Sequence, residues 1–348
     1  MSAETSKRAP TLDDVAALAG VGRGTASRAL NGARNVSESA AERVRRAAET
    51  LGYRPNNAAR SLATGRTGLV GLLVDEREDT VFLDPFFLRV ARGASRALDG
   101  SGYALVLAFA ATTARRDELF DVATTRLDGI IVASHHADTP MPAADSAAAS
   151  PVVYLGRPVH APALETMSWV DADSHAGAVA AVRHLRDNGR RCVGTITGAL
   201  DMAAGQDRLD GWRDAVAELG LPDDDDLVVE GDFGPGAGET GMRRLLSGRP
   251  DLDAVFVASD TMALGALRVL REKGLRVPQD VAVVGFDDIP QAREQNPPLT
   301  TVRQDVEALG RRTGEILLRR LRGDPGIAQE IIPVELVVRA SGGAGDRT

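Results

Sequence analysis

From Leu69 onward, short apolar runs alternate with longer stretches of helical periodicity, and this alternation leaves the chain few architectures. The runs are Leu69–Val74, Tyr103–Phe109, Gly129–Ala133, Val152–Leu155, Val193–Thr197, Ala254–Ala258 and Val281–Phe286. Helical stretches lie near 85–99, 115–126, 174–188, 207–219, 236–247, 261–273 and 306–321. A strand that is apolar on both faces belongs in a parallel sheet covered by helices on each side. The pattern runs from residue 68 to about residue 340, which predicts two doubly wound lobes with a cleft between the strand ends. The tail from Arg339, and residues 341–348 in particular, is polar and Gly-rich, which predicts disorder.

The first 67 residues read differently. Thr11-Leu12-Asp13-Asp14 is a capping-box-like start, in which a hydroxyl satisfies an orphan amide and the acids favour the positive helix end. Leu12, Val15, Ala16 and Ala19 follow at helical spacing, Gly20 stops the helix, and Val21-Gly22 turns the chain. A second helix to about Asn31 buries Ala26, Ala29 and Leu30 and shows Gly24, Ser27, Arg28 and Asn31 on its other face, with Arg23 in its first turn. Two short helices across a Gly-containing turn, the second of them basic, describe a helix-turn-helix. Ser37 can cap a third helix, Glu38 to Leu51, with Gly52 as its stop.

Charge divides at the same place. Residues 1–67 carry eleven Lys/Arg against six Asp/Glu, and residues 68–348 carry thirty against forty-three, within a net charge of −8. A basic head on an acidic body implies that only the head meets a polyanion such as DNA. The single cysteine, Cys192, excludes an intramolecular disulfide and a thiolate metal site. No stretch approaches the ~20 apolar residues of a membrane span, and Met1 to Pro10 lacks an export signal, so a cytoplasmic location is expected. The adjacent His135 and His136 suggest no third metal ligand, and Asp223–Asp226 reads as a solvated turn. There is no Gly-Lys-Ser/Thr phosphate loop and no nucleophile–base pair at usable spacing, so neither an enzyme nor a cofactor is expected.

Thr11-Leu-Asp-Asp-Val-Ala-Ala-Leu-Ala-Gly-Val21, Thr25-Ala-Ser-Arg-Ala-Leu-Asn-Gly32, Val36-Ser37, Leu51-Gly-Tyr-Arg-Pro-Asn56 and Ala59-Arg-Ser-Leu62 resemble the lactose/galactose repressor family. So do Asp84-Pro-Phe-Phe87, Leu127-Asp-Gly-Ile-Ile131, Gln206-Asp-Arg-Leu-Asp-Gly-Trp212, Ser259-Asp-Thr-Met-Ala-Leu-Gly265, Val284-Gly-Phe-Asp-Asp288 and Pro298-Leu-Thr-Thr301. The resemblance implies an all-α helix-turn-helix headpiece over 1–54, a hinge helix and linker over 55–67, and a two-lobed α/β core like that of periplasmic sugar-binding proteins over 68–340.

By the same resemblance, DNA contacts fall on Thr11, Arg23, Gly24, Thr25, Ser27, Arg28, Asn31, Tyr53 and Asn56, with Ala59 and Leu62 on the hinge. Arg23 and Arg28 would read guanine edges, each bidentate pair being worth about 1–3 kcal/mol of discrimination. Leu62 would wedge into a central base step. Effector contacts fall on Phe86, Phe87, Arg157, Asp173, Arg208, Phe233, Ser259 and Asp287, a set of donors, acceptors and aromatic faces suited to a sugar. Trp169 could also stack on a sugar or lie in the core, whereas Trp212 belongs to the core.

The implied function is a DNA-binding repressor of sugar-utilisation genes, a homodimer on an inverted-repeat operator, released by a small carbohydrate. A regulator co-repressed by a non-sugar metabolite, or a solute-binding protein, are the other readings. The tail has no leucine heptad, which favours a dimer over a tetramer. Four positions depart from the family pattern: Gly22 stands for a usual serine, Ala26 for valine, Gly156 for aspartate and Ser259 for asparagine.

Overall fold

The computed structural model describes residues 8, 10–30, 35–54, 65–76, 81–82, 84–110, 113–137, 139, 150–159 and 164–343. The chain forms two compact units, residues 1–67 and 68–348. Asn31, Asn56, Ala59 and Leu62, expected from the sequence to contact DNA, lie outside the described residues.

In the first unit, α1 (Leu12–Ala19), α2 (Arg23–Leu30) and α3 (Glu38–Leu51) pack around Val15, Ala16, Ala26, Val44 and Ala47. The capping box forms as the sequence predicts: the Thr11 hydroxyl accepts from the Asp14 amide, and the Asp14 carboxylate accepts from the Thr11 amide at 2.8 Å. Ser37 caps α3 through the Ala40 amide. Gly20 and Gly52 close α1 and α3 in the left-handed conformation, which glycine adopts without a Cβ penalty. On α2 only Ala26 is buried; Ala29 and Leu30 are partly exposed, so this helix sits on a smaller apolar face than its sequence suggests.

The second unit contains two six-stranded sheets. The first has the order β11-β5-β4-β3-β1-β2, from β1 (Leu69–Val74), β2 (Ala104–Phe109), β3 (Gly129–Ala133), β4 (Val152–Leu155), β5 (Ser168–Ala172) and β11 (Gln329–Ile332), all parallel. The second has the order β12-β10-β9-β8-β6-β7, from β6 (Val193–Ile196), β7 (Val228–Val229), β8 (Ala254–Val257), β9 (Ala282–Phe286), β10 (Thr300–Arg303) and β12 (Glu335–Val337). Among the described strands, β12 alone runs antiparallel to its neighbour. The central strands β3, β8 and β9 are wholly buried, which accounts for their unbroken apolar sequence.

Helices α4 (Pro85–Leu98), α5 (Thr113–Arg126) and α11 (Val306–Leu321) cover the first sheet. Helices α6 (Ser174–Asp187), α7 (Ala203–Leu219), α8 (Pro235–Gly248) and α9 (Asp260–Glu272) cover the second, with the short α10 (Pro290–Arg293) beyond β9. The chain crosses between the lobes three times: from β5 into α6, from β10 through Gln304 and Asp305 into α11, and from β11 through Pro333 and Val334 to β12. Each lobe is therefore assembled from separated pieces of sequence.

The expected disorder of the tail is corrected at its start. Ser341 is fully buried, its hydroxyl donating to the Val283 carbonyl and accepting from the Thr300 amide, and Arg339 donates to the Leu299 carbonyl. A polar segment is ordered here because β9 and β10 supply a partner for each of these polar groups. Residues 344–348 lie outside the described residues. Trp169 lies on β5, buried against Tyr154 and Met167, and Trp212 is buried in the second lobe.

Candidate functional site

In both sheets the strand order reverses beside the first strand, between β1 and β3 and between β6 and β8. Doubly wound sheets bind ligands beyond the carboxyl ends of strands at such points. Residues from both sets of strand ends meet here. Glu76 follows β1, Ser134 and His135 follow β3, and Arg157 follows β4; from the other lobe come Ser259 after β8 and Asp287 after β9. They line two adjoining cavities that share Phe86, Ser134, Met202, Ala204, Arg208 and Gln304.

Arg208 on α7 is the fixed point of the cleft. Its guanidinium carbon lies 3.7 Å from the centroid of the Phe286 ring and 5.5 Å from that of Phe233. Nη1 donates to the Ala258 carbonyl, Nε to Ser174 Oγ at 3.4 Å, and Nη2 lies 3.7 Å from Asp287 Oδ1. Stacking and three polar partners leave this buried arginine little freedom, which is the condition for recognising hydroxyls at fixed geometry.

Asp287 has a backbone φ of 113°, a conformation that costs an L-residue energy, and its amide donates to Val302 O at 2.7 Å to hold it there. The Gln304 side chain donates to its carboxylate at 2.5 Å. Burial raises the Asp287 pKa to about 7, against the pull of Arg208 and with the Asp84 carboxylate adding to the rise. Asp84 itself caps α4 through the Phe86 amide, and burial raises its pKa too. Phe233 has a φ of 66°, and its ring fills the space a side chain at Gly198 would need: a Cβ there would come within 1.9 Å of the ring.

Phe86, Phe87, Arg157, Arg208, Phe233, Ser259 and Asp287 are thus brought together around the cleft. Ser259 caps α9 through the Met262 amide. Asp173 is placed otherwise: its carboxylate caps α6 through the Ala176 amide, and it lines neither cavity. Sequence reasoning passed over Asp171, two residues earlier on β5, which is buried at the cleft and accepts from the Arg157 and Ala172 amides at 3.0 and 2.8 Å. It also passed over Gln304, which lies on a crossing between lobes, where no local pattern marks it.

Among the described residues two ion pairs span the lobes, and both end on the segment that opens α7. Arg157 Nη2 lies 2.6 and 2.8 Å from the Asp207 carboxylate oxygens. His136 bridges Asp201 at 2.9 Å and Glu76 at 3.3 Å. Hydrogen bonding to Glu76 raises the His136 pKa to about 9, overcoming partial burial, so the ring is charged at neutral pH. Among the described residues no group of three His, Cys, Asp or Glu side chains could hold a metal ion.

In the helical unit, α2 presents Arg23 and Arg28 on an exposed face, together with Gly24. Arg23 lies 3.6 Å from Asp13, both side chains being well exposed, so the pair is readily exchanged for a phosphate or a base. Thr25 and Ser27 lie on the same helix, half-buried, and Tyr53 follows α3. Thr11 is already engaged in its capping box.

A basic helix-turn-helix and a polar cleft at the strand ends of two lobes, on one chain, define a regulator that binds DNA and responds to a small molecule. Residues 11–56 match the bacterial regulatory proteins of the lacI family, and residues 182–342 match a periplasmic binding protein-like domain. The chain is 44% identical over 338 residues to the HTH-type transcriptional regulator CelR of Thermobifida fusca, covering 97% of this chain and 99% of that one. It is 33% identical to the ribose operon repressor of Escherichia coli K12 over 96% of this chain and 99% of that one.

Among solved structures, a CelR–cellobiose complex aligns with a TM-score of 0.76 and 42% identity, covering 95% of this chain and 99% of that one. A lac repressor dimer bound to operator and the anti-inducer ONPF aligns with a TM-score of 0.81 and 27% identity, covering 97% and 100%. The chain belongs to the lacI family of bacterial regulatory proteins, and it is a DNA-binding transcriptional regulator. Among the described residues no helix is long and apolar enough to cross a membrane.

Proposed function

We propose that this protein represses genes of carbohydrate use, holding an inverted-repeat operator as a homodimer in the cytoplasm and releasing it when a small carbohydrate enters the cleft. The observation that carries this reading is Arg208 set 3.7 Å from Asp287, whose carboxylate also accepts from Gln304, at the strand ends beside the Phe233 ring. A fixed donor, fixed acceptors and an aromatic face match the alternating hydroxyl edge and C–H face of a sugar ring. The relative solved with cellobiose and the ribose operon repressor support the same chemical class.

In this reading residues 1–54 hold DNA, 55–67 connect, and the unit from 68 senses the effector. A second copy is assigned to the first-lobe surface that carries the exposed apolar side chains Leu88 on α4, Val106 and Leu107 on β2 and Val122 on α5, a pattern that marks protein contacts. The relative solved as a dimer on operator supports this assembly. Operator occupancy changes about tenfold for ~1.4 kcal/mol of coupling, well within the usual range.

A mobility-shift titration on the region upstream of the protein's own gene, with and without saccharides, tests the proposal. A shifted complex that a sugar dissolves supports it. A complex that sugars strengthen reverses the sign, and no complex removes that region as the operator.

A further inference from the structure

Asp287 holds a backbone conformation that costs energy, and so does the residue after it: Asp288 has a φ of 50°. Two positive-φ residues in succession stay in place only if the chain is anchored on both sides of them. The Val302 carbonyl supplies one anchor by accepting from the Asp287 amide. Asp260, the opening residue of α9, supplies the other: its Oδ2 accepts from the Ile289 amide at 2.9 Å. Its Oδ1 accepts from the Thr301 hydroxyl at 2.6 Å, so one carboxylate ties the turn after β9 to β10.

The contact runs in both directions. The first amides of a helix have no partner within it, and the Asp260 amide hydrogen-bonds the Asp287 carboxylate. Asp260 thus holds Asp287 with its backbone and the turn beyond Asp287 with its side chain. The neighbouring strand leaves room for this clasp. A Cβ at Gly285 would come within 2.2 Å of Asp260 Oδ1, so β9 carries a glycine where a larger residue would displace the carboxylate. Asp260 is fully buried and lines neither cavity of the cleft, so it reaches a ligand only through the groups it holds.

We propose that Asp260 is the positioning residue of the effector site, its carboxylate and amide together fixing the Asp287 carboxylate beside Arg208. This rests on the reading of Asp287 as an effector contact and adds the group that sets its place. Arg208 is fixed independently, by Ala258, Ser174 and the Phe286 ring, so the spacing of the acceptor from the donor depends on how firmly the turn after β9 is held.

Calorimetric titration of the full-length protein with cellobiose, lactose, maltose, glucose and ribose identifies the tightest-binding sugar, which then serves as the probe. Asp260→Ala is expected to weaken its binding about tenfold in the wild-type background and about twofold or less in an Asp287→Ala background, where no carboxylate is left to place. Asp260→Asn keeps an acceptor for the Ile289 amide and offers a donor to the Thr301 hydroxyl, so it should recover most of the loss. If Asp260→Ala does not fold, Thr301→Val, which removes one arm of the clasp, decides in its place, with a loss of about threefold that again disappears without Asp287. An equal loss in both backgrounds, no loss at all, or an asparagine as damaging as alanine overturns the positioning role and leaves the carbohydrate reading intact. If no sugar binds the wild type, the carbohydrate reading itself falls and takes this inference with it.

Discussion

Asp287 and Asp288 are consecutive, yet their carboxylates occupy opposite environments. Asp287 lines the cleft 3.7 Å from Arg208, whereas Asp288 is gripped by Arg293 at 3.1 Å, Arg303 at 2.8 Å and Arg339. Both have positive φ, 113° and 50°, which turns two neighbouring side chains to separate tasks. The Asp288 side chain is 2% exposed, and the three arginines outweigh burial and hold its pKa down to about 2. Arg293 and Arg303 are 62% and 39% exposed and would return to solvent, so removing the Asp288 charge strands only Arg339 and costs roughly 1–3 kcal/mol. Asp288→Asn is therefore expected to lower the melting temperature, and Asp287→Asn to weaken effector binding without that loss, as thermal melts paired with calorimetry would show.

The pH response of Asp287 has a definite sign. Its folded pKa, about 7, lies above the ordinary carboxylate value of 3.8, so the folded state binds the proton more tightly than the unfolded state does. The stability this proton supplies is fully present below pH 3.8 and is lost as pH rises through about 7. Asp287→Asn should therefore melt increasingly above wild type as pH rises from 4 to 7, the gap levelling off above pH 8. Effector affinity should rise from pH 6 to 8 in the wild type as the carboxylate ionises to accept sugar hydroxyls, and the variant should lose that dependence.

The Glu76–His136–Asp201 bridge titrates in the alkaline range. A histidine pKa raised to about 9 gives stability fully present below 6.5 and lost as pH rises through 9. His136→Gln is expected to destabilise the protein at pH 7 and to match wild type above about pH 10, when melts are compared across that range.

Arg157 and Asp207 join the lobes through side chains 39% and 25% exposed, so the pair is worth about 0.5–1 kcal/mol, a two- to five-fold effect. Asp207→Asn should speed effector dissociation by about that factor, measured by stopped-flow. If Arg157 also meets the ligand, Arg157→Ala will cost distinctly more than Asp207→Asn.

Gly24 is exposed in the first turn of α2; a Cβ at this position would meet no atom within 4 Å, and the backbone φ is not positive. Gly24→Ala should stabilise the helical unit by about 0.5–1 kcal/mol, read from its melting transition. Arg28→Ala, on the same exposed helix, should cost about 1–3 kcal/mol of operator affinity and relax base preference at one position per half-site, which competition with mutated operators would reveal.

Strands β3, β8 and β9 were legible because every residue in them is apolar, whereas the equally buried β5 was missed because Ser168 and Asp171 interrupt it. Strands β7, β10, β11 and β12 also escaped notice: β7 has only two residues, and Thr300-Thr301-Val302-Arg303, Gln329-Glu330-Ile331-Ile332 and Glu335-Leu336-Val337 mix polar and apolar residues, since β11 and β12 lie at sheet edges and the threonines of β10 are satisfied internally. At the site, Arg208 and Asp287 were found through motifs that each carries within a short window. Asp171 and Gln304 carry no such window, and the partnership of Arg157 with Asp207 spans 50 residues. Folding, and not local pattern, brings these together.

The three crossings between lobes also set an order of synthesis. The first lobe needs α11 and β11, and the second needs β12 and Ser341, so neither sheet can be completed until residues 329 to 341 have been synthesised. The three helices of the N-terminal unit, with their own apolar core, are all present once residue 51 has emerged. Domains generally fold in the order they leave the ribosome. A nascent chain thus gains its DNA-reading surface well before it gains the means to be told to let go.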